Sequence, residues 1–221
     1  AAIGHPLPGE TIFRFIGFPE EDDHKLKQWT TNRLQFTWGS ATDEEQVDIA
    51  EKMLAYWRYC VEFVEKRRTV RADDFTSELL AGHDTNPDDL SDKEVESVIY
   101  GLSFAGHEIV TNMLCNSLLC VLPDRNIWDA LCADNSLIPN AVEEILRFDS
   151  PQTSWRRVTT QETELGGFTI PAGTQVFVSL ASANRDPEIF DDPDRFDISR
   201  KKARQHVSFG RGIHFCLGNR L

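Results

Sequence analysis

The sequence predicts a mostly α-helical fold with a minor β part, incomplete at both ends, and three observations carry that expectation. Two long stretches, one from Asp43 and one from Ser91, repeat apolar residues at steps of three and four, the helical period. After Pro151 the pattern changes to short segments of alternating polarity set between Gly and Pro turns. The chain also starts at Ala1 without an initiator Met and stops at Leu221, just past a Gly-rich Cys segment, so both ends read as cut.

Taken in order, residues 1–19 are punctuated by Pro and Gly around the apolar stretch Thr11 to Phe18, and Pro19 with Glu20 and Glu21 opens a helical region. From Asp43 the run DEEQVDIAEKMLAYWRYCVEFVEKRR sets Val47, Met53, Leu54, Trp57, Val61 and Val64 at helical spacing, predicting a long helix with a charged outer face. Residues 69–90 read as a turn-rich connection with one short helix around Phe75 to Leu80. Ser91 and Glu94 then form an S-x-x-E capping box, which satisfies two backbone donors at a helix start. Val95, Val98, Ile99, Leu102, Ala105, Ile109, Met113, Leu114 and Leu118 follow, and Pro123 ends the run. Some 30 residues at ~1.5 Å each would cross most of a domain, and apolar residues on several faces predict a central, buried helix.

A shorter helix fits Pro139 to Phe148, with Pro in its first turn. Leu165-Gly166-Gly167 is a turn, Phe168-Thr169-Ile170 a strand and Pro171-Ala172-Gly173 a tight turn. Val176, Val178 and Leu180 alternate with Gln175, Phe177 and Ser179 as a second strand, and the rest is mostly loop. With no internal repeat or low-complexity linker, residues 1–221 read as one partial domain: a helical part, 1–123, then 124–221 with the second helix, the β segment and the Cys loop.

The balance of 36 Asp+Glu against 23 Lys+Arg in 221 residues gives a net charge of −13, which argues against nucleic acid or an anionic membrane as partner. No apolar run approaches the ~20 residues that a bilayer requires, and no segment of these residues has the basic-then-apolar form of a signal peptide. Five widely spaced cysteines are an odd number and too few for a disulfide framework, so a reducing, cytoplasmic setting is expected.

The most specific string is Phe209-Gly210-Arg211-Gly212-Ile213-His214-Phe215-Cys216-Leu217-Gly218. Its six spaced positions, F-G-x-G-x-H-x-C-x-G, would match by chance in this composition roughly two times in a million. A lone cysteine is ordinarily a small buried hydrophobe. Three glycines around this one instead let the backbone turn tightly and approach a partner closely, and their N–H groups can face a thiolate. Thiolate ligation of haem iron is one chemistry that uses such a loop.

On these residues the segment resembles the Cys-ligand loop of bacterial cytochromes P450. Ala105-Gly106-His107-Glu108 on the long helix, Glu144-x-x-Arg147 and Asn184-Arg185-Asp186-Pro187 fit the same family. The resemblance covers nearly all of the chain but only about the latter half of the family's fold. It implies haem b as cofactor, with Cys216 as iron ligand and Ala105, Gly106, Arg157, Phe209, Gly210, His214 and Gly218 around it. Arg157 and His214 would contact haem propionates, and the small pair Ala105-Gly106 would let a flat ligand lie against the helix. Glu108 would be the acid beside bound dioxygen, and Arg195 would complete a buried triad with Glu144 and Arg147.

The implied activity is a haem-dependent monooxygenase that inserts one oxygen atom from O2 into a small organic substrate. Electrons would come from NAD(P)H through a ferredoxin and reductase or a fused reductase, with Arg211 near the docking face. Leu102, Ser103, Ile109 and residues 152–155 would line the substrate side. One departure stands out. Relatives follow the helix acid with a Thr, whereas here Ile109 occupies that place and Thr111 lies roughly 200° further round the helix. Water or a substrate hydroxyl would then complete the proton path. The competing expectations are a non-catalytic haem- or metal-binding fragment and, less compatibly with the H-x-C spacing, a cysteine-nucleophile hydrolase.

Overall fold

The structure is a computed structural model that describes residues 4–31, 35–36 and 39–221. It forms two compact units, Ala1–Thr111 and Asn112–Leu221.

The first unit contains α1 (Pro6–Ile16), α2 (Asp23–Thr31), α3 (Asp43–Thr69), α4 (Phe75–Thr85) and most of α5 (Asp92–Val121). α1 lies in the stretch that the sequence shows only as punctuated by Pro and Gly around apolar residues. Pro6 occupies the first turn, where its missing N–H costs nothing, and Ile12, Phe13 and Ile16 bury one face. Gly17, at φ 101°, ends the helix by donating its N–H to the Phe13 and Arg14 carbonyls. The punctuating Pro6 is therefore a helix starter.

In α3 the helix is where the periodicity put it, but its inward face is different. Ile49, Tyr56, Cys60, Phe63 and Val64 are buried, whereas Val47 and Leu54, expected inside, are 60% and 47% exposed. Tyr56, Cys60, Phe63 and Val64 join Phe13, Phe18, Leu26, Leu80, Val95 and Ile99 in one core. α3 also carries a complete capping box that the sequence reading passed over. The Thr42 N–H donates to Glu45 Oε2 at 2.8 Å, and the Glu45 N–H donates to Thr42 Oγ1 at 3.3 Å.

At the start of α5 the expected box is only half formed. The Ser91 N–H donates to Glu94 Oε2 at 2.7 Å, but the Ser91 hydroxyl also donates to that carboxylate, at 2.6 Å. Nor is α5 buried all round. Val95, Ile99, Ser103 and His107, at steps of four, form its buried stripe, while Leu118 and Leu119 are 50% and 70% exposed.

The second unit begins with the end of α5 and continues through α6 (Arg125–Ala133), a helix capped by Asp124 that the sequence reading did not foresee, to α7 (Ile138–Phe148). β1 (Ser154–Val158) and β4 (Gln175–Ser179) pair antiparallel with Arg157 opposite Val176, and β2 (Thr163–Leu165) pairs with β3 (Phe168–Ile170). Gly166 and Gly167, both at positive φ, make the β2–β3 turn. Leu180, expected to end a strand, instead opens the single helical turn α8 (Leu180–Ala183), capped by the Ser179 hydroxyl. The fold is thus mostly helical with a small sheet part. Among the described residues no helix is long and apolar enough to cross a membrane.

The two caps differ in a measurable way. Thr42→Ala should cost about 1 kcal/mol of stability in denaturant unfolding, the usual loss for a side-chain N-cap. Ser91→Ala should cost less, because its hydroxyl spends its proton on Glu94 rather than accepting from the helix.

Candidate functional site

The second unit is organised around a charge with no access to water. Glu144 and Arg147 lie one turn apart on α7, and both side chains are 0% exposed. Arg147 grips the carboxylate with two parallel bonds, Nε to Oε2 at 2.7 Å and Nη2 to Oε1 at 2.8 Å. The same guanidinium donates Nη1 to the Asn184 and Pro193 carbonyls and Nη2 to that of Arg195. The second arginine on Glu144 is Arg200, whose Nε reaches Oε1 at 3.0 Å. This corrects the expectation for Arg195, which supplies only its backbone carbonyl and is 68% exposed at its side chain. Arg200 also donates to the carbonyls of Asp191, Asp192 and Arg195. It thereby holds the turn at Asp192, whose left-handed φ of 48° is adopted routinely by glycine and otherwise mainly by Asn and Asp.

From this lock the chain runs through residues 203–208 into the cysteine loop. Gly210 and Gly212, at φ 74° and 77°, bend it, and the Cys216 N–H donates to the Phe209 carbonyl at 2.9 Å, closing it. Cys216 is an exposed free thiol. Around it Ile213, Phe215 and Leu217 are 98%, 50% and 74% exposed. His214 and Arg157 are exposed as well, the latter on β1 with Nη1 donating to the Arg156 carbonyl. A soft sulfur ligand, exposed apolar side chains and two groups able to bind carboxylates are a donor set that fits an iron porphyrin.

The first unit carries the acid. On α5, His107 is buried, and burial holds its pKa below the ordinary imidazole value. The His5 carbonyl can only accept, so His107 Nε2–H donates to it at 3.1 Å, leaving Nδ1 to accept from the Thr30 hydroxyl at 2.8 Å. This anchoring fixes the rotation of α5, with Ala105 exposed and Glu108 half-buried three residues on, along the same face. Glu108 Oε2 is buried without a hydrogen-bond partner, and burial pushes the carboxyl up to about 7.

Two small residues turn out to have local reasons. A Cβ on Gly106 would stand 2.6 Å from Ile12 Cγ1, so glycine is what lets α1 pack there. Ser103, expected to face substrate, is buried, accepting from the Tyr56 hydroxyl at 2.5 Å and donating to the Tyr100 carbonyl at 2.9 Å. Leu102 packs against the same core. Thr111 spends its hydroxyl on the His107 carbonyl at 2.9 Å, one turn back in its own helix.

Comparison with known proteins gives the following matches. The family described as cytochrome P450 matches residues 34–221. The biotin biosynthesis cytochrome P450 of Bacillus subtilis is 39% identical over 219 residues, covering 98% of this chain and 54% of that protein. The vitamin D(3) 25-hydroxylase of Pseudonocardia autotrophica is 37% identical, covering 97% and 52% respectively. The structure of cytochrome P450 CREJ in complex with (4-ethylphenyl) dihydrogen phosphate superposes with a TM-score of 0.91 at 37% identity, covering 98% of this chain and 54% of that one. The chain spans about half the length of these relatives.

Two predictions separate the roles. Arg147→Leu should lose ~3–5 kcal/mol of stability, because it leaves the buried Glu144 to Arg200 and the Asn184 and Pro193 carbonyls without this donor, whereas Arg195→Ala should stay within ~0.5 kcal/mol; thermal unfolding of both distinguishes them. Glu108 binds its proton more tightly in the fold than at its ordinary value of 4.5. Its contribution to stability is therefore full below pH 4.5 and falls as pH rises to about 7. Glu108→Gln should flatten that part of the stability–pH curve.

Proposed function

The chain belongs to the cytochrome P450 family, and from that premise we propose that the protein containing these residues is a haem-dependent monooxygenase acting on a small organic substrate in the cytoplasm. The observation that carries the proposal is Cys216, an exposed thiol on a glycine loop whose own amide is tied back to Phe209. Residues 1–221 would then be one part of a single P450 domain.

Cys216 would hold the iron. Phe209, Gly210 and Gly218 would shape the loop beneath it, and Arg157 and His214 would bind the carboxylates of haem b. Ala105 and the backbone at Gly106 would be further cofactor-facing positions. Bound haem would supply the activation of O2, so that one oxygen atom enters the substrate and the other leaves as water with two electrons and two protons. Glu108 would hold one such proton on Oε2 and release it toward the reacting oxygen, with water or a substrate hydroxyl in the place where Ile109 has no hydrogen-bonding group. A carboxyl titrating at about 7 is suited to that work near neutral pH. The electrons would come from NAD(P)H through a ferredoxin and reductase or a fused reductase, with Arg211 at the docking face.

The other reading, a haem- or metal-binding fragment without turnover, predicts cofactor binding but no product. Both are decided by supplying the protein with NAD(P)H, an electron-donor system, isotopically labelled O2 and 4-ethylphenyl phosphate as first probe. One labelled oxygen per product, absent in Cys216→Ser, supports the monooxygenase; label drawn from water contradicts it. With that probe, Glu108→Gln should slow product formation at least ~10-fold and raise peroxide release, and unchanged coupling would remove Glu108 from the proton path.

A further inference from the structure

Three residues outside the haem-facing set connect α7 to the cysteine loop. Asn184 follows α8, is fully buried, and has its carbonyl bound by Arg147. Its side chain makes two bonds, both to the segment that enters the loop: Oδ1 accepts from the Val207 N–H at 2.8 Å and Nδ2 donates to Ser208 Oγ at 2.8 Å. Ser208 Oγ passes its own proton to the Leu146 carbonyl of α7 at 2.6 Å. The Ser208 N–H donates to His206 Nδ1 at 3.1 Å, so the neutral ring carries its proton on Nε2 and donates it to Glu143 Oε2, also at 3.1 Å. Arg204 faces the other oxygen of Glu143 at 3.5 Å.

The Val207 N–H, the Ser208 N–H and the Ser208 hydroxyl are thus bound by Asn184, His206 and α7. The Phe209–Gly210 peptide completes the path. Its N–H, that of Gly210, donates to the Val207 carbonyl at 2.8 Å, and its carbonyl, that of Phe209, accepts the Cys216 N–H at 2.9 Å. One peptide plane therefore has its donor fixed by the clasped segment and its acceptor holding Cys216. Tilting the segment at 207–208 tilts that plane and moves the backbone of Cys216 with it.

We propose that Asn184, His206 and Ser208 are positioning residues that set the placement of Cys216 through the Phe209–Gly210 peptide. The inference rests on Cys216 being the iron ligand for its functional meaning, but its geometry does not. Rigid support for a ligand matters because small displacements of a coordinating group alter what it coordinates. Asn184 is legible in the sequence as part of Asn184-Arg185-Asp186-Pro187, whereas His206 and Ser208 carry no such signal.

The test uses the haem-loaded full-length protein with Asn184→Ala, Ser208→Ala and His206→Gln, and Leu80→Ala, in the core of the first unit, as a control of comparable stability loss. Hydrogen exchange at the Cys216 amide is measured by mass spectrometry with fragmentation, and the reduction potential of the bound iron by titration. The clasp predicts exchange at Cys216 accelerated roughly tenfold in Asn184→Ala and Ser208→Ala, the ratio that ~1.4 kcal/mol of lost restraint commands, with a shifted potential and neither change in Leu80→Ala. Variants that merely lose stability as Leu80→Ala does, with exchange at Cys216 and potential unaltered, would overturn it. Faster exchange in a protein whose iron proves not to be bound by Cys216 would keep the clasp and discard the haem-thiolate reading.

Discussion

Glu144 has no water to solvate it, so its charge must be balanced from within the protein. Burying an ion pair is rarely a net gain over an apolar pair of the same shape. Its value here is directional. Arg147 and Arg200 hold the carboxylate and between them bind the carbonyls of Asn184, Asp191, Asp192, Pro193 and Arg195. A segment with almost no regular secondary structure is thereby given fixed geometry. Irregular backbone needs partners for its polar groups as much as a helix does, and here two guanidinium groups provide them.

That order passes along the chain to the cysteine loop. Asn184 is bound by Arg147 through its carbonyl and binds residues 207–208 through its side chain, so the buried charge cluster and the loop share a residue. The loop itself is open: Cys216 and its apolar neighbours are exposed. Rigid support beneath an exposed reactive group is the arrangement expected where geometry must be set before a ligand arrives. In the first unit the logic is complementary. His107, locked by His5 and Thr30, orients α5, and the carboxyl of Glu108 keeps one oxygen buried without a partner. An unmet hydrogen bond of that kind costs stability, and the proton relay proposed for Glu108 would give that cost a use.

The long helices were legible because their apolar periodicity is strong, and the cysteine loop because six spaced residues rarely coincide. The inward face of α3 was not legible, since Val47 and Leu54 repeat at seven as convincingly as Tyr56 and Phe63 do, and only the packing partners decide between them. α1 was hidden by prolines that are harmless in a first turn. Arg200 was missed in favour of Arg195 because both follow the same Pro193 segment, and sequence spacing does not reveal which side chain turns inward. Ser103 looked suited to a substrate, but Tyr56, 47 positions earlier, claims it. Gly106 also has a packing reason that the sequence does not show, since a Cβ there would meet Ile12. In each case the deciding partner is distant in sequence.

The proposed function turns on Cys216 binding haem iron as a thiolate. The most direct measurement is the absorption spectrum of the reduced, carbon-monoxide-treated full-length protein beside its Cys216→Ser variant. The account predicts a strongly red-shifted Soret band that the variant lacks. The same band in both proteins, or haem that binds without it, would contradict the assignment.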